Sequence, residues 1–283
     1  MSPIYVPGKV VLRKESSTWA EGGDLVYTIV VSGTTYRVHE FKTVGTTSLT
    51  VMKGGSFEYL VVGGGGPGGT SAGGFENGGG GGAGGLVQGT FAATGNTYTV
   101  VVGEGAPRTT GNSGQVGGNS SLFGLVANGG GSGAFFGPRN GGSGAGGCAF
   151  SNTIGGLATQ PTSVSGGFGN PGGNGDPTGD RGTGGGGGAG SAGSNGTSTT
   201  GGNGGAGRQS SITGTALFYA AGGGGSIGSG FTPGTGGSGI GGNGSTGSGS
   251  DAVANTGSGG GGANAPSGGG AGGSGIVIVR YAI

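Results

Sequence analysis

The chain has one cysteine, one histidine and one tryptophan in 283 residues, and only 11 Lys and Arg against 10 Asp and Glu. A lone Cys148 excludes an intrachain disulfide framework. A net charge of +1, with the basic residues scattered, excludes the footprint of a nucleic-acid-binding protein and offers nothing to a membrane surface. No apolar stretch approaches the roughly 20 residues needed to cross a bilayer. The opening MSPIYVPGKVVLRKESS has neither an apolar h-region nor a cleavage site, so no signal peptide is expected. His39 lies in a strand-like stretch, and nothing places an Asp and a Ser beside it, so a catalytic triad is unsupported. Cys148, between Gly147 and Ala149, reads as a small buried filler. The expectation is a protein that is not an enzyme and has no cofactor or metal.

Two loop signals are discounted. Gly-x-Gly-x-x-Gly patterns arise here by abundance, and no Gly-Lys-Ser/Thr follows any of them. Residues 172–180 (GGNGDPTGD) come close to the calcium nonapeptide, but the Asp arrives one residue early and the motif occurs once. An Asp-rich turn is the better reading.

What the chain does have is glycine: 91 residues, in runs that border short β-like segments. FEYLVV (57–62) precedes 63–66, YTVVV (98–102) precedes Gly103, and 122–126 precede 129–131. ALFYAA (216–221) precedes 222–225, and IVIVRY (276–281) follows Gly275. Glycine and proline together exceed the roughly 25–30% typical of low-complexity chains. Ordering a glycine backbone costs about 1–2 kcal/mol per residue with no side chain to bury in return. A flexible linker, however, would be richer in Ser, Lys and Glu and poorer in strands.

A packed array of polyproline II rods can order so much glycine. That helix has three residues per turn, rises about 3.1 Å per residue and makes no internal hydrogen bonds. Every N–H and C=O must therefore find a partner in a neighbouring rod, and close backbone approach requires faces without a Cβ. A fully surrounded rod should be glycine on all three faces, as in 78–82 and 184–188. A surface rod can carry side chains on one face, as in 141–147 and 201–207. Isolated rods need a scaffold, and stretches 27–31, 35–41, 48–51 and 57–62 are strand-length and rich in β-branched and aromatic residues. Ser32-Gly33 and Lys53-Gly54-Gly55 mark turns between them. Later strands are expected within 89–102, 120–127, 211–221 and 275–281, and no stretch has helical periodicity. The expected fold class is all-β: a β-sandwich whose connections expand into a polyglycine bundle, mainly at 63–90, 103–120, 128–210 and 222–275.

The segments EFKTVGTTSLTV (40–51), FEYLVVGGGG (57–66), YTVVVGEGA (98–106), GGNSSLFG (117–124), FYAAGGGG (218–225) and GGSGIVIVRY (272–281) carry a resemblance. In this order they resemble the glycine-rich domain of phage tail-fibre and adhesin proteins. They are also similar to the glycine-rich ectodomain of anaplastic-lymphoma-type receptor kinases. The resemblance covers about 24–283 and implies a tumour-necrosis-factor-like, jelly-roll-like sandwich with polyglycine rods. The phage family implies a virion component, often receptor-binding; the kinase family implies a ligand-binding ectodomain, but no kinase or membrane span is seen here.

Rods are nearly featureless, so adhesion should reside where the glycine pattern breaks. The breaks hold Phe75, Phe135, Phe136, Arg139, Phe150, Phe168, Asp176, Asp180, Arg181 and Phe231. Aromatics supply rigid contact area and polar groups supply orientation; the competing reading is that these rings cover rod ends. Residues 1–23 hold the densest charge and the only tryptophan, Trp19, and read as a segment attaching to other virion proteins. The alternative for that segment is a first strand at 9–13. The expected function is a tail-fibre or tail-tip adhesin in the virion, with a bacterial outer-membrane protein or polysaccharide as receptor. Strand edges allow a homo-oligomer. The alternative is a purely structural fibre or connector. An ice-binding role needs a regular register of small residues, and here the Ser, Thr and Asn positions wander.

Overall fold

The run Ile276-Val277-Ile278-Val279 has no polar alternation, so a strand made from it must be covered on both faces. The computed structural model, which describes residues 17–70, 77–111, 113–137, 139–149, 152–178, 181–264 and 268–283, buries all four. They belong to β12 (Ile276–Ala282). Before it come β1 (Trp19–Glu21), β2 (Leu25–Val31), β3 (Thr34–Phe41), β4 (Gly45–Lys53), β5 (Gly55–Val62) and β6 (Leu86–Ala93). Then follow β7 (Asn96–Val102), β8 (Ser120–Leu122), β9 (Leu125–Ala127), β10 (Arg208–Ser210) and β11 (Leu217–Tyr219). Among the described residues the one helical element is a short 3₁₀ turn at Gly237–Gly239.

Two five-stranded antiparallel sheets, in the orders β1-β4-β7-β8-β9 and β2-β3-β12-β5-β6, make the sandwich, and β10-β11 forms a separate pair. Strand β12 lies between β3 and β5, with Val277 opposite both Phe41 and Val61. Its Val277, Val279 and Tyr281 join Phe41, Leu49, Phe57 and Val100 in the core between the sheets. Its Ile276 and Ile278 join Val38, Leu60, Leu86, Ala189 and Tyr219 on the other face, under the β10-β11 pair and the rod ends. The all-β sandwich is as expected.

Turn chemistry holds in part. Ser32 and Gly33 have φ of 49° and 82°, which is the type I′ geometry that joins β2 and β3. The Lys53-Gly54-Gly55 turn makes no hairpin. Strand β4 pairs with β1 and β7 while β5 pairs with β12 and β6, so this turn carries the chain from one sheet to the other. Gly54 lies where a Cβ would stand 2.5 Å from the Ala93 carbonyl, so the crossing needs glycine. Residues 19–21, assigned to an attachment segment by sequence, pair with β4. The rest of that segment up to residue 16, with the alternative strand at 9–13, lies outside the described residues.

The glycine tracts hydrogen-bond with a three-residue cycle. Gly63, Gly66 and Gly69 donate to the carbonyls of Gly85, Gly82 and Gly79, whereas Gly65 and Gly68 donate to Gly273 and Gly270. That period is the polyproline II helix read from its bonds. Rod 78–85 has six neighbours. Gly78, Gly81 and Gly84 donate to Ala263, Gly260 and Gly257; Gly79, Gly82 and Gly85 donate to Gly133, Gly131 and Asn128; Gly80 and Ala83 donate to Gly184 and Gly187. Its carbonyls accept from rod 63–69, from Ser143 and Gly146, and from Gly223. Rod 184–188 is likewise enclosed, donating to Gly147 and Gly144, to Ser194 and Ser191, and to Gly223, while accepting from Gly80 and Ala83, from Gly173 and from Gly205. Both all-glycine tracts are interior rods, as the sequence predicts. Tract 201–207 exposes Asn203 and Ala206, also as predicted. Tract 141–147 departs from expectation: Ser143 and Ala145 are fully buried. Rods 152–160 and 169–175 lie over it, through Gly156 N–H to Ala145 and Gly144 N–H to Asn170.

Packing this close leaves no room for a methyl group. A Cβ on Gly80 would lie 2.1 Å from the Gly223 carbonyl oxygen, and one on Gly186 would lie against that of Gly81 at 1.9 Å. We expect Gly80→Ala and Gly186→Ala each to destabilise by about 3 kcal/mol or more in urea unfolding. Gly247→Ala, whose Cβ meets only Ser245 Oγ at 3.8 Å, should stay within about 0.5 kcal/mol. Ser143→Ala, which keeps its Cβ and removes a buried hydroxyl without a hydrogen-bond partner, should cost far less than either interior glycine.

His39 ties the sandwich to the N-terminal strand. Its Nδ1 donates to the Gly22 carbonyl at 2.6 Å, and its Nε2 accepts from the Tyr281 hydroxyl at 3.2 Å. Burial, reinforced by the Arg37 charge, holds its pKa below the ordinary 6.5. The unfolded chain therefore binds a proton that the folded site resists. Stability should be full above pH 6.5 and fall as pH drops below it, and His39→Gln should flatten that slope in unfolding measured against pH.

Candidate functional site

The rods present mostly backbone and small side chains, so recognition chemistry is sought where they turn. The rods share two ends. At one, residues 63, 85, 103, 128 and 275 pass directly into or out of β5, β6, β7, β9 and β12. At the other, hydrogen bonds tie the rods into a layer: Gly69 to Gly79, Gly79 to Gly133, Gly78 to Ala263, and the hydroxyls of Thr183 and Ser226 both to the Gly78 carbonyl. An eight-residue rod such as 63–70 holds these ends about 25 Å apart.

The loops at the free end connect edge to edge. In the first, the Phe135 and Phe136 rings meet edge-on with centroids 4.7 Å apart, and Phe136 is 70% exposed. Arg139 braces this loop to the next. Its Nη1 donates to the carbonyls of Asn152 at 2.5 Å and Ile154 at 2.8 Å, and its Nη2 to Phe135 O at 3.4 Å and Cys148 Sγ at 3.2 Å. Asn152 Nδ2 returns a bond to Phe135 O at 2.6 Å. Between them lies a cleft of about 340 Å³ lined by Gly137, Arg139, Asn140, Asn152 and Ile154.

Gly175 N–H donates to the Thr153 carbonyl at 2.7 Å and carries the ridge to the next turn. There Asp176 Oδ1 accepts from the Thr178 hydroxyl at 2.5 Å and its amide at 2.8 Å. Those bonds, with the nearby Arg181 charge, hold the Asp176 carboxyl below its ordinary 3.8. Arg181 donates to the Ser198 carbonyl at 3.2 Å, and the Thr200–Thr232 bridge reaches the loop of Phe231, which is 43% exposed.

Six residues marked by sequence therefore share one ridge: Phe135, Phe136, Arg139, Asp176, Arg181 and Phe231. Phe168 does not. It bridges to Leu86 at the sandwich end, with the Arg208 guanidinium 3.5 Å over its ring, because the loop around it returns to β6 and covers the Leu86 side of the core. Phe75, Phe150 and Asp180 lie outside the described residues. Ile154, 75% exposed beside the cleft, was missed; the signal was a β-branched residue in the glycine-poor stretch 148–165. His39 and Cys148 are both buried, the latter as its sequence setting implies.

A family model described as a glycine-rich domain matches residues 42–282. No curated protein matches the chain. Among the described residues, no helix is long and apolar enough to cross a membrane.

The brace makes a prediction. Arg139→Ala removes four charged hydrogen bonds from the first two loops and should cost about 2 kcal/mol. Amide exchange should accelerate in 134–137 and 152–156 while rod 78–85 stays protected.

Proposed function

The chain belongs to the glycine-rich domain family, and from that premise we propose that it is a phage tail-fibre or tail-tip adhesin that binds a host receptor through the loops at the free ends of its rods. One observation carries this reading: a ridge of short loops joined by hydrogen bonds exposes Phe136, Ile154 and Phe231 at the free ends of rods whose packed interior is backbone. Large apolar side chains on braced loops give contact area at low entropic cost, with carbonyls and amides beside them for orientation. The rods act as a spacer that presents this ridge away from the sandwich. The virion setting rests on the resemblance of the strand–glycine junctions to tail-fibre domains. In this reading the N-terminal residues attach the protein to the rest of the fibre, and a bacterial outer-membrane protein or polysaccharide is the receptor.

A purely structural fibre role has its own supporting observation. Arg139, Asp176 and Arg181 are engaged within the protein, which leaves the ridge few charges to offer a partner. The two readings separate in one experiment. Labelled protein should bind selectively within a panel of bacterial strains, and Phe136→Ser with Phe231→Ser should abolish that binding at an unchanged melting temperature. Folded protein that binds no strain would establish the structural role instead.

A further inference from the structure

A large cleft lies away from the ridge, where the sandwich meets the attached ends of the rods. Its volume is about 750 Å³, within the range typical of small-ligand sites. Three parts of the fold converge on it. Strands β2 and β3 supply Tyr27 and Glu40, followed by Lys42; the segment entering β11 and β11 itself supply Leu217, Phe218 and Tyr219; rod turns supply Ile240 and Asn255. In sequence these residues are scattered, and none breaks a glycine tract conspicuously.

Glu40 is the centre of the polar wall. It is only 6% exposed, and each carboxylate oxygen has a partner: Oε1 accepts from the Tyr27 hydroxyl at 2.6 Å and Oε2 from Lys42 Nζ at 2.5 Å. Lys42 is 38% exposed, so the pair is half-buried, with the carboxylate inside and the ammonium reaching solvent. Burial, and then the Glu40 carboxylate, push the Tyr27 phenol well above its ordinary 10 and that of Tyr219 up to about 12. Both phenols thus remain hydroxyls; Tyr27, whose proton is held by Glu40, can accept, and Tyr219 can donate and accept. Opposite this wall, β11 lines the cleft with Leu217 and Phe218, 45% and 41% exposed, so apolar surface is left open there rather than buried.

We propose that this cleft binds a neutral polyhydroxylated saccharide. The Glu40–Lys42 pair has no net charge, so an ionic ligand would have to break it, whereas sugar hydroxyls can donate to the carboxylate and accept from the ammonium while it persists. The two phenols and the Asn255 amide add further hydrogen-bonding groups. Phe218, Leu217 and Ile240 offer an apolar surface for the C–H face of a pyranose ring. The site is separate from the ridge of loops, and the proposal stands whatever that ridge binds.

The test uses the full chain on an array of bacterial surface glycans. Solution titrations by NMR then follow with cellotriose, maltotriose and the methyl glycosides of galactose and N-acetylglucosamine. At least one neutral saccharide should bind saturably. Phe218→Ala, which alters an exposed side chain, should weaken that binding about tenfold or more, and Glu40→Gln should do the same. Phe136→Ala on the distant ridge should leave it unchanged, whereas cell attachment through the ridge should respond in the opposite way. Three results would overturn the proposal: no saccharide bound by the folded protein, binding indifferent to both cleft variants, or a preference for acidic over neutral glycans.

Discussion

The backbone hydrogen bond between neighbouring rods is the interaction on which the rest depends. A polyproline II segment satisfies none of its own polar groups, so each glycine in the bundle must be paired sideways or left buried and unpaired at a cost of about 1–3 kcal/mol. The lattice meets this requirement by surrounding rods such as 78–85 and 184–188 with six others, donating along three directions and accepting along three. Glycine is then required sterically as well as conformationally. At most interior positions an added Cβ would fall about 2 Å from a neighbouring carbonyl oxygen, so the bonds and the absence of side chains are two aspects of one geometry.

The sandwich solves the problem the rods cannot. A rod has almost no apolar area to bury and no torsional preference strong enough to hold it alone. The strands do have such area, in the core around Phe41, Phe57, Val100 and Tyr281. By feeding rods from the ends of β5, β6, β7, β9 and β12, the sandwich fixes where each one begins, and the three-residue cycle of bonds then sets the register of its neighbours. The second apolar cluster, in which Ala189 and Ala220 from rod ends meet Ile276 and Ile278 of the sheet, joins the two materials.

Much of this was legible in the sequence, for identifiable reasons. All-glycine tracts mark interior rods because only complete enclosure removes every side chain, and β-branched runs beside them mark the strands. Tract 141–147 was misjudged because a rod can be enclosed and still carry Ser143 and Ala145, where the rods covering it leave room for a small side chain; a single tract's composition does not reveal its neighbours. Lys53-Gly54-Gly55 was misjudged because a tight glycine turn looks the same whether it joins partners in one sheet or crosses between two. The candidate ridge was found through broken glycine periodicity, which marks rod ends in general. Phe168 shows the limit of that signal, since a break at the attached end looks like one at the free end.

Strands β5 and β12 lie side by side in the sheet, yet the whole of 63–275 comes between them in the chain. This gives the fold an order of events. The central strand can enter its slot only after the intervening chain has compacted enough to bring Ile276 back beside Val62, and the entropy of that closure is spent before any of the strand's contacts form. Assembly should be slow and strongly cooperative. The finished object should be correspondingly slow to come apart, because releasing β12 exposes both apolar faces of the sheet at once. Such resistance is kinetic: it is set by the barrier to releasing β12 rather than by the equilibrium stability of the whole.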